Sequence, residues 1–417
     1  MEIKRERYLD KLIRRQNNGM VKVITGVRRC GKSYLLFRLF KKHLISEGVP
    51  AKQIIEVALD DIANKELRKA DILYDYLKTQ IKSDAPYYVF LDEIQFVEGF
   101  YDVINGLMRS RNLDIYVTGS NSKLLSSDIL TEFRGRGDEV RVYPLCFSEY
   151  VSGYKGNTNQ AWKDYYTFGG MPLILARDGD DLKAEYLSNL FREVYIRDIC
   201  ERNNVRHEAD LDTVVNILAS SIGSLTNPSK MQRSFKSGRG SAITDKTIKT
   251  YIDYLEEAYL LQAVQRYDIK GRKYIGTPLK YYFTDVGLRN VRLNFRQQEE
   301  NHIMENVIYN ELKVRGYIVD IGVVETTETD VEGRRRQKRL EVDFIARRGN
   351  DQAYIQSAFA IENGEKEARE KRSLTKIPDS FRKIVIVKDD VKIKRDDNGI
   401  ATMSLFDFLL NDNSLSM

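Results

Sequence analysis

Four residues near the start of this 417-residue chain have the types and spacing to grip a chain of phosphates. Gly26, Gly31, Lys32 and Ser33 lie in GVRRCGKS and meet the pattern G-x-x-x-x-G-K-[ST]. Lacking a Cβ, Gly26 and Gly31 let the loop backbone turn its N–H groups inward around phosphate oxygens. Lys32 then reaches the β- and γ-phosphates, the Ser33 hydroxyl ligates Mg²⁺, and the helix that begins here adds the positive end of its dipole. The contact set for a bound nucleotide is Gly26, Val27, Arg28, Arg29, Cys30, Gly31, Lys32, Ser33 and Tyr34. Arg28 and Arg29 put two guanidinium groups beside the phosphates, whereas Cys30 reads as a small packing residue.

A second set lies 60 residues on, in YYVFLDEIQ. Asp92 is placed to hold the Mg²⁺ shell, and Glu93 beside it to orient and polarise an attacking water. Taken alone, the acidic pair also fits two solvated carboxylates at a strand end. A third set, TGSNS, offers Ser120 and Asn121 to the γ-phosphate or to the water, although turn formation accounts for these residues equally well. In FRGRGDEVRVYPL, Arg134 and Arg136 sit on a glycine-flanked loop. They fit either an arginine finger presented by a neighbouring subunit, which implies a homo-oligomer, or a solvated loop.

These residues need elements that bring them together. VKVIT (21–25) before the first loop and YLLFRLF (34–40) after it read as strand and helix. Gln53 to Leu59, YYVFLD, and Asp114 to Thr118 read as further strands, with helical stretches at 67–81 and 99–111 between them. Residues 1–20 read as a charged helix. Strands alternating with helices imply a parallel, three-layer α/β sheet, whose ligands lie at the carboxyl ends of the strands. GVRRCGKS, LDEIQ and TGSNS all fall at that edge.

Composition narrows the alternatives. Lys+Arg number 67 against 61 Asp+Glu, for a net charge of +6, so no global field points to nucleic acid or a membrane. Cys30, Cys146 and Cys200 are far apart, as are His43, His207 and His302, which argues against a disulfide framework or a zinc site and fits a cytoplasmic protein. No apolar run approaches the roughly 20 residues of a membrane helix. The charged first residues do not read as a signal peptide.

Residues 21 to about 200 resemble the AAA-type ATPase module of a widespread prokaryotic family with a C-terminal region of uncharacterised function. GVRRCGKS, FLDEIQ, VTGSNSKLL, FRGR, YPLCFSEY, FGGMP (168–172) and YIRDI (195–199) carry the resemblance. It implies binding and hydrolysis of ATP with Mg²⁺, Glu93 as base and a polar sensor near Ser120 and Asn121.

From about 205 to 265 the pattern is helical, and TNPSKMQRSFKSGRGS (226–241) reads as a basic loop ahead of a helix through Ile248, Tyr251, Ile252 and Leu255. Helix, loop, helix and a strand-like LLQAVQRYD resemble a winged helix-turn-helix. Its phosphate contacts would be Lys230, Arg233, Lys236, Arg239, Lys246 and Lys249. Packing or protein contact is the alternative role. Further on, Glu305, Asp343 and Gln356 fall where a restriction-endonuclease-like domain holds its metal. The lysine expected two residues after Gln356 is Ala358, which removes a cation needed for cleavage. The basic stretch Arg334, Arg335, Arg336, Lys338 and Arg339 either touches phosphates or ends a solvated hairpin.

The expectation is a three-part chain: residues 1–200 an AAA-type P-loop domain with a small helical part from about 145, 201–285 a winged-helix domain, and 286–417 an inactive, mixed α/β restriction-endonuclease-like domain. ATP hydrolysis would be coupled to contact with DNA or a protein partner. A slow-turnover nucleotide switch is the second reading and an ATP-powered nuclease the third.

Overall fold

Runs of β-branched and aromatic residues set the strands of the first half. In the computed structural model, which describes all residues except 1, 121–132, 134, 240–242, 330–334, 362–363 and 417, β1 (Val21–Thr25), β2 (Ile54–Ala58), β3 (Tyr87–Asp92), β4 (Leu113–Thr118) and β5 (Gly137–Arg141) form one sheet. Their order is β2-β3-β4-β1-β5, with every neighbouring pair parallel. All residues of β1 and β3 are buried, as strands covered on both faces must be. On one face, Leu73 and Leu77 and then Val103, Ile104 and Leu107 come from the helices Ala70–Gln80 and Phe100–Leu107 and meet Val89, Leu91 and Val117. On the other, Phe40 from the helix spanning 32–46 meets Phe90 and Tyr116, with ring centroids 5.8 and 4.9 Å away. The middle of that helix, Leu35–Phe40, is π-wound. This is the expected three-layer α/β arrangement.

The amino-terminal ends of β1 and β4 are joined by a buried ion pair between Lys22 and Asp114. Lys22 also donates to the Met20 carbonyl at 2.9 Å, and the Tyr116 hydroxyl donates to Asp114 at 2.7 Å. A buried ammonium needs such partners, because desolvation otherwise exceeds any gain from packing its stem.

The chain divides into two compact units, 1–144 with 257–259, and 145–256 with 260–417. The first unit gives way to the second after Pro144, where hydrogen bonds hold the residues that follow to distant parts of the second unit. Leu145 N donates to the Gly170 carbonyl at 2.7 Å, Gly170 N donates to the Asp285 carboxylate at 2.6 Å, and Asn290 Nδ2 donates to the carbonyls of Tyr166 and Thr167 at 2.8 and 2.9 Å. FGGMP is therefore tied to residues 285–290, far along the chain.

Strands on both sides of residue 285 share one sheet. β6 (Leu261–Asp268) and β7 (Lys273–Phe283) form a hairpin that joins β8 (Ile318–Thr329), β9 (Arg335–Arg348), β10 (Asp351–Ala358), β11 (Arg382–Val387), β12 (Lys394–Arg395) and β13 (Ala401–Ser404) in one sheet. The strand order is β12-β13-β11-β10-β9-β8-β6-β7. Backbone pairing of β6 with β8, from Arg266 and Ile321 onward, makes the hairpin continuous with the strands that follow. Of the basic stretch 334–339, Arg334 lies outside the described residues and Arg335 onward forms the exposed start of β9, paired to β8.

One loop expectation is corrected. Pro228–Arg239 is a helix between Glu208–Ser220 and Asp245–Glu257. Composition suggested a loop, but Met231 and Phe235, one turn apart, are buried, and Asn227 accepts from Lys230 N at 2.7 Å as a cap. Among the described residues, no helix is long and apolar enough to cross a membrane.

Lys22→Ala and Asp114→Ala each strand one buried charge, and each is expected to lower the stability of the N-terminal unit by about 3–5 kcal/mol, read from urea unfolding.

Candidate functional site

β1 ends at Thr25 and the chain turns at once through Gly26, whose φ is 139°. A Cβ here would lie 2.0 Å from the Val142 carbonyl oxygen, so only glycine fits. Arg29 and Gly31 also have positive φ, 64° and 102°, and the helix of 32–46 begins directly after them. Within this turn the Lys32 ammonium is buried and donates to the carbonyls of Gly26 and Val27 at 3.0 and 3.3 Å. A cation thus lies inside a curl of backbone, the chemistry a phosphate chain requires. Val27 and Cys30 are buried under the loop, and the Cys30 thiol meets the Val142 carbonyl at 3.4 Å. Burial pushes that thiol's pKa up, making it less reactive. Arg28 is half-buried, while Arg29 and Tyr34 are exposed.

The carboxyl ends of β3 and β4 close the other side. The Asp92 carboxylate accepts a hydrogen bond from the Thr118 hydroxyl. Burial raises its pKa, and this hydroxyl opposes the rise. Glu93, in a left-handed conformation with φ 52°, donates its N–H to Thr118 Oγ1 at 2.9 Å. Its carboxylate accepts from Gln95 Nε2, and from Ser120 Oγ at 3.1 Å. Lys32, Ser33, Asp92, Glu93 and Ser120 are therefore gathered at one sheet edge.

Arg136 lies elsewhere. Its carbonyl accepts from Val21 N at 2.9 Å, where β1 and β5 begin. The length of a five-residue strand, about 16 Å, separates that end from the phosphate loop. Asn121 and Arg134 lie outside the described residues.

Two contributors were not singled out in the sequence. Thr118 bridges the backbone of Glu93 and the carboxylate of Asp92, a role hidden because threonine is ordinary at a strand end. Arg5, also left-handed with φ 51°, is buried, and its guanidinium donates to the carbonyls of Cys30 at 3.1 Å and Tyr143 at 2.6 Å. It thereby fixes the back of the phosphate loop to the segment after β5. No local pattern marks it among the basic residues around it.

Fold and site together define the N-terminal region as an AAA-type P-loop ATPase domain, and residues 18–151 match the family described as AAA domain. Residues 159–299 match a domain of unknown function (DUF8612). The chain belongs to the same family as an uncharacterized protein of Haemophilus influenzae, with 33% identity over 414 residues covering 98% of each chain. It is also 27% identical to the uncharacterized protein MJ1544 of Methanocaldococcus jannaschii, over 83% of this chain and 76% of that one. Among solved structures, that of the Aeropyrum pernix ORC1 protein in complex with DNA is similar at 14% identity, covering 70% of this chain and 93% of that one with a TM-score of 0.29. A likeness at that score says nothing about activity or assembly.

Arg5→Ala removes two charge-assisted hydrogen bonds behind the loop, and is expected to weaken ATP binding about tenfold in equilibrium titration while leaving the fold intact by circular dichroism.

Proposed function

We propose that this protein hydrolyses the β–γ phosphoanhydride of ATP and uses nucleotide state to control contacts made by its C-terminal unit. The observation that carries this is the buried Lys32 ammonium, which donates to the Gly26 and Val27 carbonyls inside the phosphate loop, at the sheet edge where the buried Asp92 ends β3. A lysine inside a backbone curl, with a buried carboxylate at the same sheet edge, suits a polyphosphate and a hard cation. Mg²⁺, when bound, neutralises charge that develops on the transferring phosphoryl group. Ser33 and Asp92 would hold it. Lys32 would exchange its loop carbonyls for phosphate oxygens, and Glu93 would accept a proton from the attacking water and orient it. Asn121 is assigned to the γ-phosphate. Arg136, set at the opposite end of β1, is assigned to the site of a second copy of the chain, because it cannot reach its own.

A second reading, a slow nucleotide switch, is favoured by one feature. The Glu93 carboxylate is already engaged by Gln95 and Ser120, so a water must displace these donors before it can be oriented there.

For the C-terminal unit, the three helices between 208 and 257 followed by the β6–β7 hairpin support a winged-helix reading and contact with DNA. Lys230, Arg233 and Lys246 are exposed there, whereas Lys249 is paired with Asp253 at 2.9 Å. The side chains of Lys236 and Arg239 lie outside the described ones. A protein partner at the same surface is the alternative.

Lys32→Ala should abolish Mg²⁺-dependent phosphate release, and Glu93→Gln should slow it about 10²-fold or more while ATP stays bound. Binding without turnover in the wild-type chain, with or without DNA, gives the switch reading instead. Because Asp92 must be ionised to hold the metal and burial raises its pKa, activity should fall on acidification earlier than an ordinary aspartate allows. Thr118→Val, by deleting a hydrogen bond to the charged form, should move that acid limb to higher pH. Duplex DNA should shift in mobility with the chain, and the shift should weaken with salt and with Lys230→Ala and Arg233→Ala together.

A further inference from the structure

The C-terminal unit contains a group of charges, three of them buried and the fourth, Glu341, part-exposed, that the ATPase reading does not use. Glu305 lies on the helix Glu300–Val314, and Glu341 and Asp343 lie on β9, facing the same space. Lys280, from β7, enters it. Its Nζ is 2.9 Å from Glu305 Oε1, 2.6 Å from Glu341 Oε1 and 3.9 Å from Asp343 Oδ1, and the side chain is 3% exposed. The Tyr282 hydroxyl donates to the same Glu305 oxygen, and Asp343 Oδ2 accepts from Ser357 N at 2.8 Å.

Three of the residues that sequence reading assigns to a metal centre are thus placed differently from what a metal requires. Glu305 and Asp343 do converge, but on an ammonium group. Gln356 accepts from Ser373 Oγ at 3.4 Å instead of facing an open seat. Ala358, where a lysine was expected, is packed among Leu374, Ile377 and Val385, so a charged side chain there would be buried in apolar surroundings. Among the described residues no group of carboxylate, histidine or cysteine side chains is arranged to hold a metal ion.

We infer that this cluster is a metal-free centre in which the Lys280 ammonium takes the seat of a divalent cation and joins the β6–β7 hairpin to the helix 300–314 and β9. The physical reason is compensation. Carboxylates drawn together out of water repel one another unless a cation lies between them, and an ammonium held by acids on two elements supplies that cation from within the chain. A lysine that only activated water would have to be free of such pairing. The consequence is that the hairpin is a fixed part of the C-terminal unit.

The test uses the full chain, free of nucleotide and carrying Asp92→Asn to silence the other metal site. Lys280→Met in that background should lower the melting temperature by about 10 °C, the scale expected for stranding buried charges. Mn²⁺ should then bind at one site and recover part of the loss, whereas the chain with Lys280 intact should show neither effect. If Lys280→Met alone does not fold, adding Glu341→Gln and Asp343→Asn should restore folding by removing the repulsion. The proposal is overturned if Mn²⁺ binds with Lys280 present and is lost on Asp343→Asn. It is equally overturned if Lys280→Met melts like its parent and gains no metal, or if the triple variant stays unfolded.

Discussion

Parallel pairing of β1, β3 and β4 is the constraint on which the site depends. Only when neighbouring strands run the same way do their carboxyl ends meet at one edge, and only then do Thr25, Asp92 and Thr118 finish together. The Thr118 hydroxyl marks the alignment, since it reaches across to the carboxylate of Asp92 and the backbone of Glu93. A slip of one residue would send these side chains to the opposite faces of the sheet.

The two edges of that sheet handle charge in opposite ways. At the amino edge Lys22 is fully paired with Asp114 and shielded, a static joint. At the carboxyl edge the Lys32 ammonium donates to carbonyl oxygens, and Asp92 accepts from the Thr118 hydroxyl. Among the described residues neither has an opposite charge as its hydrogen-bond partner, so both retain electrostatic attraction for an incoming ligand. Lys280 repeats the logic of Lys22 in the C-terminal unit, where acids from two elements surround one ammonium. The contrast separates the groups poised for chemistry from those that hold the fold.

In the C-terminal unit, shared hydrogen bonds cross a division suggested by pattern. A helix-turn-helix followed by a hairpin and then an α/β stretch reads as two domains. Once β6 pairs with β8, and Asn306 holds both the N–H and the carbonyl of Phe283 at 2.9 and 2.8 Å, the hairpin and the later strands share one backbone network.

Local patterns in the sequence marked four of the five strands of the first sheet, the glycine turn after β1, and Lys32, Ser33, Asp92 and Glu93 as candidates, because apolar runs and backbone sterics act within a few residues; β5 falls in a stretch that reads as a loop. They did not locate Arg5 or Thr118, whose roles arise from contacts 25 or more residues away. They also misread 226–241, where Met231 and Phe235 find a core that composition does not announce. Only the tertiary structure decided that Arg136 sits at the far end of β1, that the first unit stops at Pro144, and that the cation among Glu305, Glu341 and Asp343 comes from β7. Each of these is a matter of which distant segments share a hydrogen bond or a charge, and sequence spacing alone carries no record of that.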